Sequence, residues 1–198
     1  MTRTGRDIPS LIGSRICHDL ISPLGAVSNG VELMSLSHQD SEELSLIGDS
    51  ITSANARIRL FRIAFGAAID GQLLSRLEVE AVLAEIYGSA KLDVTWAGSE
   101  DPLRAEAKLA LLLLMCVEVA MPWGGTVRIS CDDGCWKLLA RADRLKLDAD
   151  LWEVLSNASA SAAIEPAHVQ FPLAFDAAER LNRKPTVELS EDLIQIEF

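Results

Sequence analysis

A two-module α+β fold follows from three features of the sequence. Apolar residues recur at three-four spacing in two long runs before residue 66, with a short polar turn between them. The texture then changes at the small-residue stretch from Gly66 to Gly71. Beyond it, alternating apolar and polar runs interleave with helical patterns, and Asp132-Asp133-Gly134 between two such runs marks a β-hairpin. The predicted architecture is an N-terminal antiparallel helical hairpin, forming a four-helix bundle in a dimer, followed by an α/β sandwich. Residues 1–74 and 75–198 are the two predicted domains.

The first helix is predicted from about residue 7 to 36, with Asp7 and Pro9 near its start. Its expected burial stripe is Ile12, Ile16, Leu20, Leu24, Val27, Val31 and Met34. A second stripe runs Ser14, His18, Ser22, Gly25, Asn29. At about 100° per residue, His18 lies roughly 200° from Leu20 and points away from the face that seeks burial. Ser22 is one turn on and Gly25 two turns on, and neither blocks a visiting globular partner. Pro23 forfeits a backbone hydrogen bond at a cost of about 3 kcal/mol and predicts a bend beside His18. An ordinary surface histidine is the plain alternative.

Ser37 to Ser41 forms a short turn, and the second helix carries the stripe Leu44, Ile47, Ile51, Ala54, Ile58, Phe61 and Phe65. So short a connection makes the pair antiparallel. One hairpin cannot enclose its own apolar face, because Leu24, Leu33, Leu46, Leu60 and Ile63 widen that face beyond one stripe. Two hairpins from two chains are therefore expected to join in an obligate homodimer. Arg57, Arg59 and Arg62 cluster within two turns, either to meet an acidic partner or as solvated surface charge.

In the second module, Leu77 to Ala90 is helical in pattern, and Lys91 to Ala97 alternates through Leu92, Val94 and Trp96 as a strand. Arg104 to Met121 is a helix, broken by Pro122-Trp123-Gly124-Gly125. Thr126 to Cys131 and Trp136 to Ala142 form the hairpin. After a polar, Ala-rich stretch at residues 156–163, Pro166 to Leu181 reads as a helix, and strands Thr186 to Leu189 and Leu193 to Phe198 close the chain.

Composition narrows the function classes. With 49% apolar and 24% charged residues among 198, the chain is that of a folded soluble protein. Its most apolar run, Leu109 to Met121, contains Glu118 and is shorter than the roughly 20 residues of a membrane span. The first twenty residues lack a charged leader followed by an apolar block, so a cytoplasmic location is expected. A net charge of −11 disfavours nucleic acid and anionic lipid. Cys17, Cys116, Cys131 and Cys135 lack the repeated close pairs of a zinc site, and buried reduced thiols are expected.

His18 followed by an acid at Asp19, a small hydroxyl residue at Ser22 and a proline at Pro23 resembles the phosphoacceptor box of bacterial sensor histidine kinases. The extension Gly25-Ala26-Val27-Ser28-Asn29-Gly30-Val31-Glu32-Leu33, with Arg62-Ile63-Ala64-Phe65-Gly66 closing the second helix, narrows the likeness to the ChpT-type histidine phosphotransferases. These are dimeric proteins that relay a phosphoryl group between receiver domains. The order of elements after residue 74 is similar to the ATP-binding domain of the kinases. Its chemistry is missing here. The kinase helix carries Asn residues for Mg²⁺ and phosphate where this chain has Leu112 and Cys116, neither a hard oxygen ligand. Asp143-Arg144-Leu145-Lys146-Leu147-Asp148 follows the second hairpin strand where glycine-rich segments are expected, and no glycine occurs after Gly134. Asp143 matches the position of the family's adenine-contacting Asp.

The resemblance implies a phosphohistidine intermediate on His18, with Asp19 orienting the ring or standing as an exposed helix acid. It implies docking contacts at Ser14, Arg15, Ser22, Gly25 and Asn29, and a structural role for Pro23. The expected partners are response-regulator receivers and the receiver domain of a hybrid histidine kinase. No cofactor or metal of the chain's own is expected, Mg²⁺ being held by the receiver's acidic pocket. Two alternatives stay open: an ATP-dependent histidine kinase, and a noncatalytic dimeric adaptor that binds receivers.

Overall fold

The computed structural model describes residues 8–37, 41–88, 90–98, 100–157, 160 and 162–198. Two compact units divide the chain, Met1–Ala67 and Ala68–Phe198. The first holds helices α1 (Ile8–Ser37) and α2 (Glu42–Ala64). Asp7 and residues 38–40, to which part of the predicted helix start and turn belong, lie outside the described residues.

The two helices pack antiparallel, with Gly13 against Phe65 near one end and Val31 against Gly48 near the other. Ser41 caps α2, its hydroxyl accepting from the Leu44 N–H at 3.3 Å. Glu42 and Glu43 in the first turn and Arg62 in the last suit the helix dipole. The face that α1 turns toward α2 takes in only part of the predicted stripe, of which Leu24 and Val31 are half-buried. Cys17 is buried, and a Cβ on Gly13 would sit 3.0 Å from that of Phe65. Ile12, Ile16, Leu20, Val27 and Met34 are instead 45% to 54% exposed. Small residues at Gly13 and Cys17 allow close approach, and the helix is rotated by roughly a quarter turn to use them. On α2, Ile51 and Ile58 are buried as predicted, whereas Ile47 is exposed. Pro23 lies inside α1, which continues through it; without an N–H there, the Asp19 carbonyl loses its helical donor.

The second unit is a five-stranded mixed sheet with helices against it. Its elements are α3 (Arg76–Tyr87), β1 (Leu92–Trp96), α4 (Arg104–Ala120), β2 (Gly125–Asp132), β3 (Cys135–Arg141), α5 (Ala149–Glu153), α6 (Gln170–Arg180), β4 (Thr186–Leu189) and β5 (Leu193–Glu197). The strand order is β1-β2-β3-β5-β4, with β1 parallel to β2 and the other pairs antiparallel. Val127, Ile129, Leu138, Ala140, Ile194 and Ile196 alternate along the strands and are all buried, and α4 is buried from Leu109 through Leu114. Gly124 and Gly125 have φ of 97° and 140°, and a Cβ on them would run into the carbonyl oxygens of Lys91 and Arg141.

Three expectations shift. Residues 72–74 belong to the second unit, because the Leu74 N–H donates to Pro102 O at 2.9 Å and the Arg104 N–H to Gln72 O at 2.7 Å. The division thus precedes the predicted boundary at residue 74. The predicted helix from Pro166 is a 3-10 turn, Pro166–His168, followed by α6. Helix α5 was not predicted; Asp148 caps it by accepting from the Asp150 and Leu151 N–H groups, and it buries Leu151 and Trp152. All four cysteines are free, but only Cys17 and Cys116 are buried, while Cys131 is half-buried and Cys135 exposed on the hairpin. Among the described residues, no helix is long and apolar enough to cross a membrane.

Candidate functional site

The face of α1 that carries His18 is separate from both its packed face and its apolar stripe. The His18 side chain is 83% exposed. Its Nδ1 lies 3.1 Å from Asp19 Oδ1, and Arg15 Nε donates to Asp19 Oδ2 at 2.7 Å. These bonds, His18's first and Arg15's second, hold the Asp19 carboxyl below the usual carboxylate range. An ionised carboxylate only accepts, so the proton in the His18–Asp19 bond belongs to Nδ1. In the neutral ring the lone pair then resides on Nε2. One helical step separates His18 and Asp19 by about 100°, and the carboxylate bridges that angle by reaching along the surface between ring and guanidinium. Arg15 enters as the third member of this chain, beyond the docking role expected of it. The i,i+4 spacing of Arg15 and Asp19 is the signal that identifies the pair.

The remaining predicted site residues divide. Ser22 and Asn29 are exposed along the same stripe. Gly25 is half-buried, with no atom within 4 Å of where a Cβ would stand, so the surface there is open. Ser14 is engaged inside the hairpin: its hydroxyl accepts from the Ala67 N–H at 3.2 Å, tying the exit of α2 to α1. Gly66 beside it has no room for a side chain, since a Cβ would run into Arg62 O. Pro23 lies one turn beyond Asp19 on α1.

In the second unit, Leu112 and Cys116 are fully buried in α4, and burial pushes the Cys116 thiol well above its usual pKa. The segment after β3 is committed to structure. The Lys146 N–H donates to Ala120 O at 2.8 Å, Asp148 caps α5, and the Arg144 guanidinium lies 4.2 Å from the centre of the Trp123 ring. Asp143 is exposed. Among the described residues, no group of three or more His, Cys, Asp and Glu is arranged to hold a metal ion.

A family model described as the histidine phosphotransferase C-terminal domain matches residues 76–193. The chain belongs to the histidine phosphotransferase family. Over 201 residues it is 30% identical to the protein phosphotransferase ChpT of Brucella abortus (strain 2308), a match covering 98% of this chain and 96% of that protein. It also superposes on a solved structure of a bacterial phosphotransferase with a TM-score of 0.71 and 28% identity, covering 100% of this chain and 98% of the other. As a histidine phosphotransferase, the protein transfers phosphoryl groups within a phosphorelay. The family model covers the sheet-bearing unit, and His18 lies outside it, on α1.

Proposed function

We propose that this histidine phosphotransferase carries the phosphoryl group on His18 and passes it between the aspartates of receiver domains, without binding ATP. The observation that supports this reading most is the outward ring of His18, with Nδ1 against Asp19 and Nε2 free for attack. The chain has three histidines. His168 is half-buried and meets Phe171 edge-on with ring centres 6.5 Å apart, and His38 lies outside the described residues.

The transfer is an in-line displacement. Nε2 of neutral His18 attacks the phosphorus of an aspartyl phosphate on the donor receiver; the N–P bond forms as the P–O bond to the aspartyl carboxylate breaks. The Nδ1 proton stays in its bond to Asp19, whose negative charge favours the cationic ring that develops. The return step, with a second receiver's Asp as nucleophile, reverses these events. Mg²⁺ comes with the receiver, held in its acidic pocket. Arg15, Ser22, Gly25 and Asn29 form the docking surface around the ring. Ser14 supports it from beneath, and Pro23, by leaving the Asp19 carbonyl without a helical donor, sets the local backbone.

The partners in this reading are response-regulator receivers and the receiver domain of a hybrid histidine kinase, in the cytoplasm. The exposed stripe Ile12, Ile16, Leu20, Val27 and Met34, with Leu33, Leu46 and Ile47, is the surface through which two copies form a four-helix bundle. Burial of Leu112 and Cys116 and the glycine-free segment after β3 support a second unit that holds no nucleotide.

The test is transfer from a radiolabelled phospho-receiver. Wild-type protein is expected to take up an acid-labile, base-stable label and to pass it to a second receiver, and His18→Gln to take up none. Relay by His18→Gln overturns the assignment, and self-phosphorylation of the protein with Mg-ATP overturns the ATP-free reading.

A further inference from the structure

A groove of about 550 Å³ opens in the second unit where the end of β1, the β2–β3 turn and the start of α4 meet. Beneath it the Trp96 and Trp136 rings lie 5.2 Å apart, inclined at 57° and only 6% and 2% exposed. Leu73 and Leu103, joined by a backbone bridge, give it an apolar lip. Five carboxylates line it, and two are engaged within the fold. Asp101 accepts from the Arg76 N–H at 2.8 Å, and Glu106 accepts from Trp136 Nε1 at 3.3 Å and from Arg183 at 3.2 Å. Among the described residues, Glu100, Asp132 and Asp133 make no side-chain hydrogen bond or ion pair, and no Lys, Arg or His lines the groove.

One further group is left without a partner. Trp96 is only 6% exposed, and its indole N–H is buried with no acceptor, beside Gly98 of the groove wall. A Cβ on Gly98 would lie 3.2 Å from that nitrogen, so a side chain there would crowd it. Trp136, beneath the same groove, has its N–H satisfied by Glu106. A buried donor left unpaired is a standing cost that an arriving acceptor removes.

We propose that this groove binds an arginine side chain presented by an extended segment of a partner protein. The guanidinium is weakly hydrated and planar, and meets carboxylates through paired N–H donors. Glu100, Asp132 and Asp133 supply the opposing charge, and the aliphatic stem covers the Leu73 and Leu103 lip. A peptide carbonyl beside the arginine is the acceptor for the Trp96 N–H. Five carboxylates repel phosphate and nucleotide ligands, and two indoles with an apolar lip are poor surroundings for a bare divalent cation. The groove shares no residue with the His18 face, so this inference stands apart from the relay assignment.

The experiment follows the indole N–H resonances of the full-length protein, labelled with ¹⁵N, during titration with an acetylated Gly-Arg-Gly amide peptide. The expected result is a saturable downfield movement of the Trp96 resonance that weakens with salt. The Gly-Glu-Gly counterpart leaves the resonance in place. The double variant Asp132→Asn/Asp133→Asn, which leaves the turn backbone undisturbed, should bind the arginine peptide about threefold to tenfold more weakly. A Trp96 resonance that stays still, one that moves equally with the glutamate peptide, or unchanged affinity in the double variant overturns the proposal.

Discussion

Asp19 is where the chemistry of the candidate site can be probed most directly. It accepts from a ring nitrogen on one side and a guanidinium on the other, and both depress its pKa. The sign follows from that depression. The stabilising contacts are complete above the unfolded-state pKa and are lost only as pH falls through the lower folded-state value. The Asp19 carboxyl resonance in ¹³C NMR is therefore expected to titrate below the ordinary Asp range. His18→Ala and Arg15→Ala should each raise its midpoint. For transfer, Asp19→Asn replaces a charged acceptor with a neutral one and should slow uptake from a phospho-receiver by about 10- to 100-fold. The thermal melt should change little, because the side chain is exposed. Quench-flow and a calorimetric scan check the two halves. His18 was legible because its phase on the helix and its acidic neighbour stand in the sequence itself. The role of Ser14 was not: its bond to the Ala67 N–H joins residues 53 positions apart, and periodicity carries no information about such a contact.

At the scale of elements, the spacing of apolar residues identified α1 and α2 almost to the residue but centred the buried stripe of α1 to one side of the face that meets α2, so that Leu24 and Val31 are half-buried while Ile12, Ile16 and Leu20 are exposed. Hydrophobicity marks Ile12, Ile16 and Leu20, whereas closeness of approach is decided by the small residues Gly13 and Cys17. Gly13→Leu is accordingly expected to destabilise the hairpin by about 1–3 kcal/mol, since its side chain must displace Phe65. A urea melt monitored by circular dichroism measures that loss, and Gly25→Ala, where nothing lies within 4 Å, serves as the matched control with little change. Helix α5 escaped notice for another reason. Five residues span little more than one turn, too few for a period to show, and what holds them is the Asp148 cap and the burial of Leu151 and Trp152.

For the whole molecule, the exposed stripe of α1 is the main unresolved burial in a single chain. Ile16 and Val27 are each about half exposed although both are strongly apolar. If two copies cover this stripe, a pair of like charges placed there must separate them. In that case the wild-type chain is expected to sediment as a dimer and Ile16→Glu/Val27→Glu as a monomer. A dimeric double variant would show that the contact lies elsewhere. In the second unit, α4 puts Leu112 and Cys116 wholly into the core, and the segment after β3 is spent on tying Ala120 and capping α5.

By itself the sequence determined the two helices, the strands and hairpin of the second unit, the exposed phase of His18 and the absence of nucleotide-binding residue types at 112 and 116. Each of these is a local property, set by periodicity, turn chemistry or side-chain identity within a few residues. Only the tertiary structure decided the strand order β1-β2-β3-β5-β4, the quarter-turn rotation of α1, the assignment of residues 72–74 to the second unit and the acidic groove over Trp96 and Trp136. Those depend on backbone pairing and close packing between segments far apart in the chain. A one-dimensional pattern records which residues share a face, but not the angle at which that face meets its neighbour.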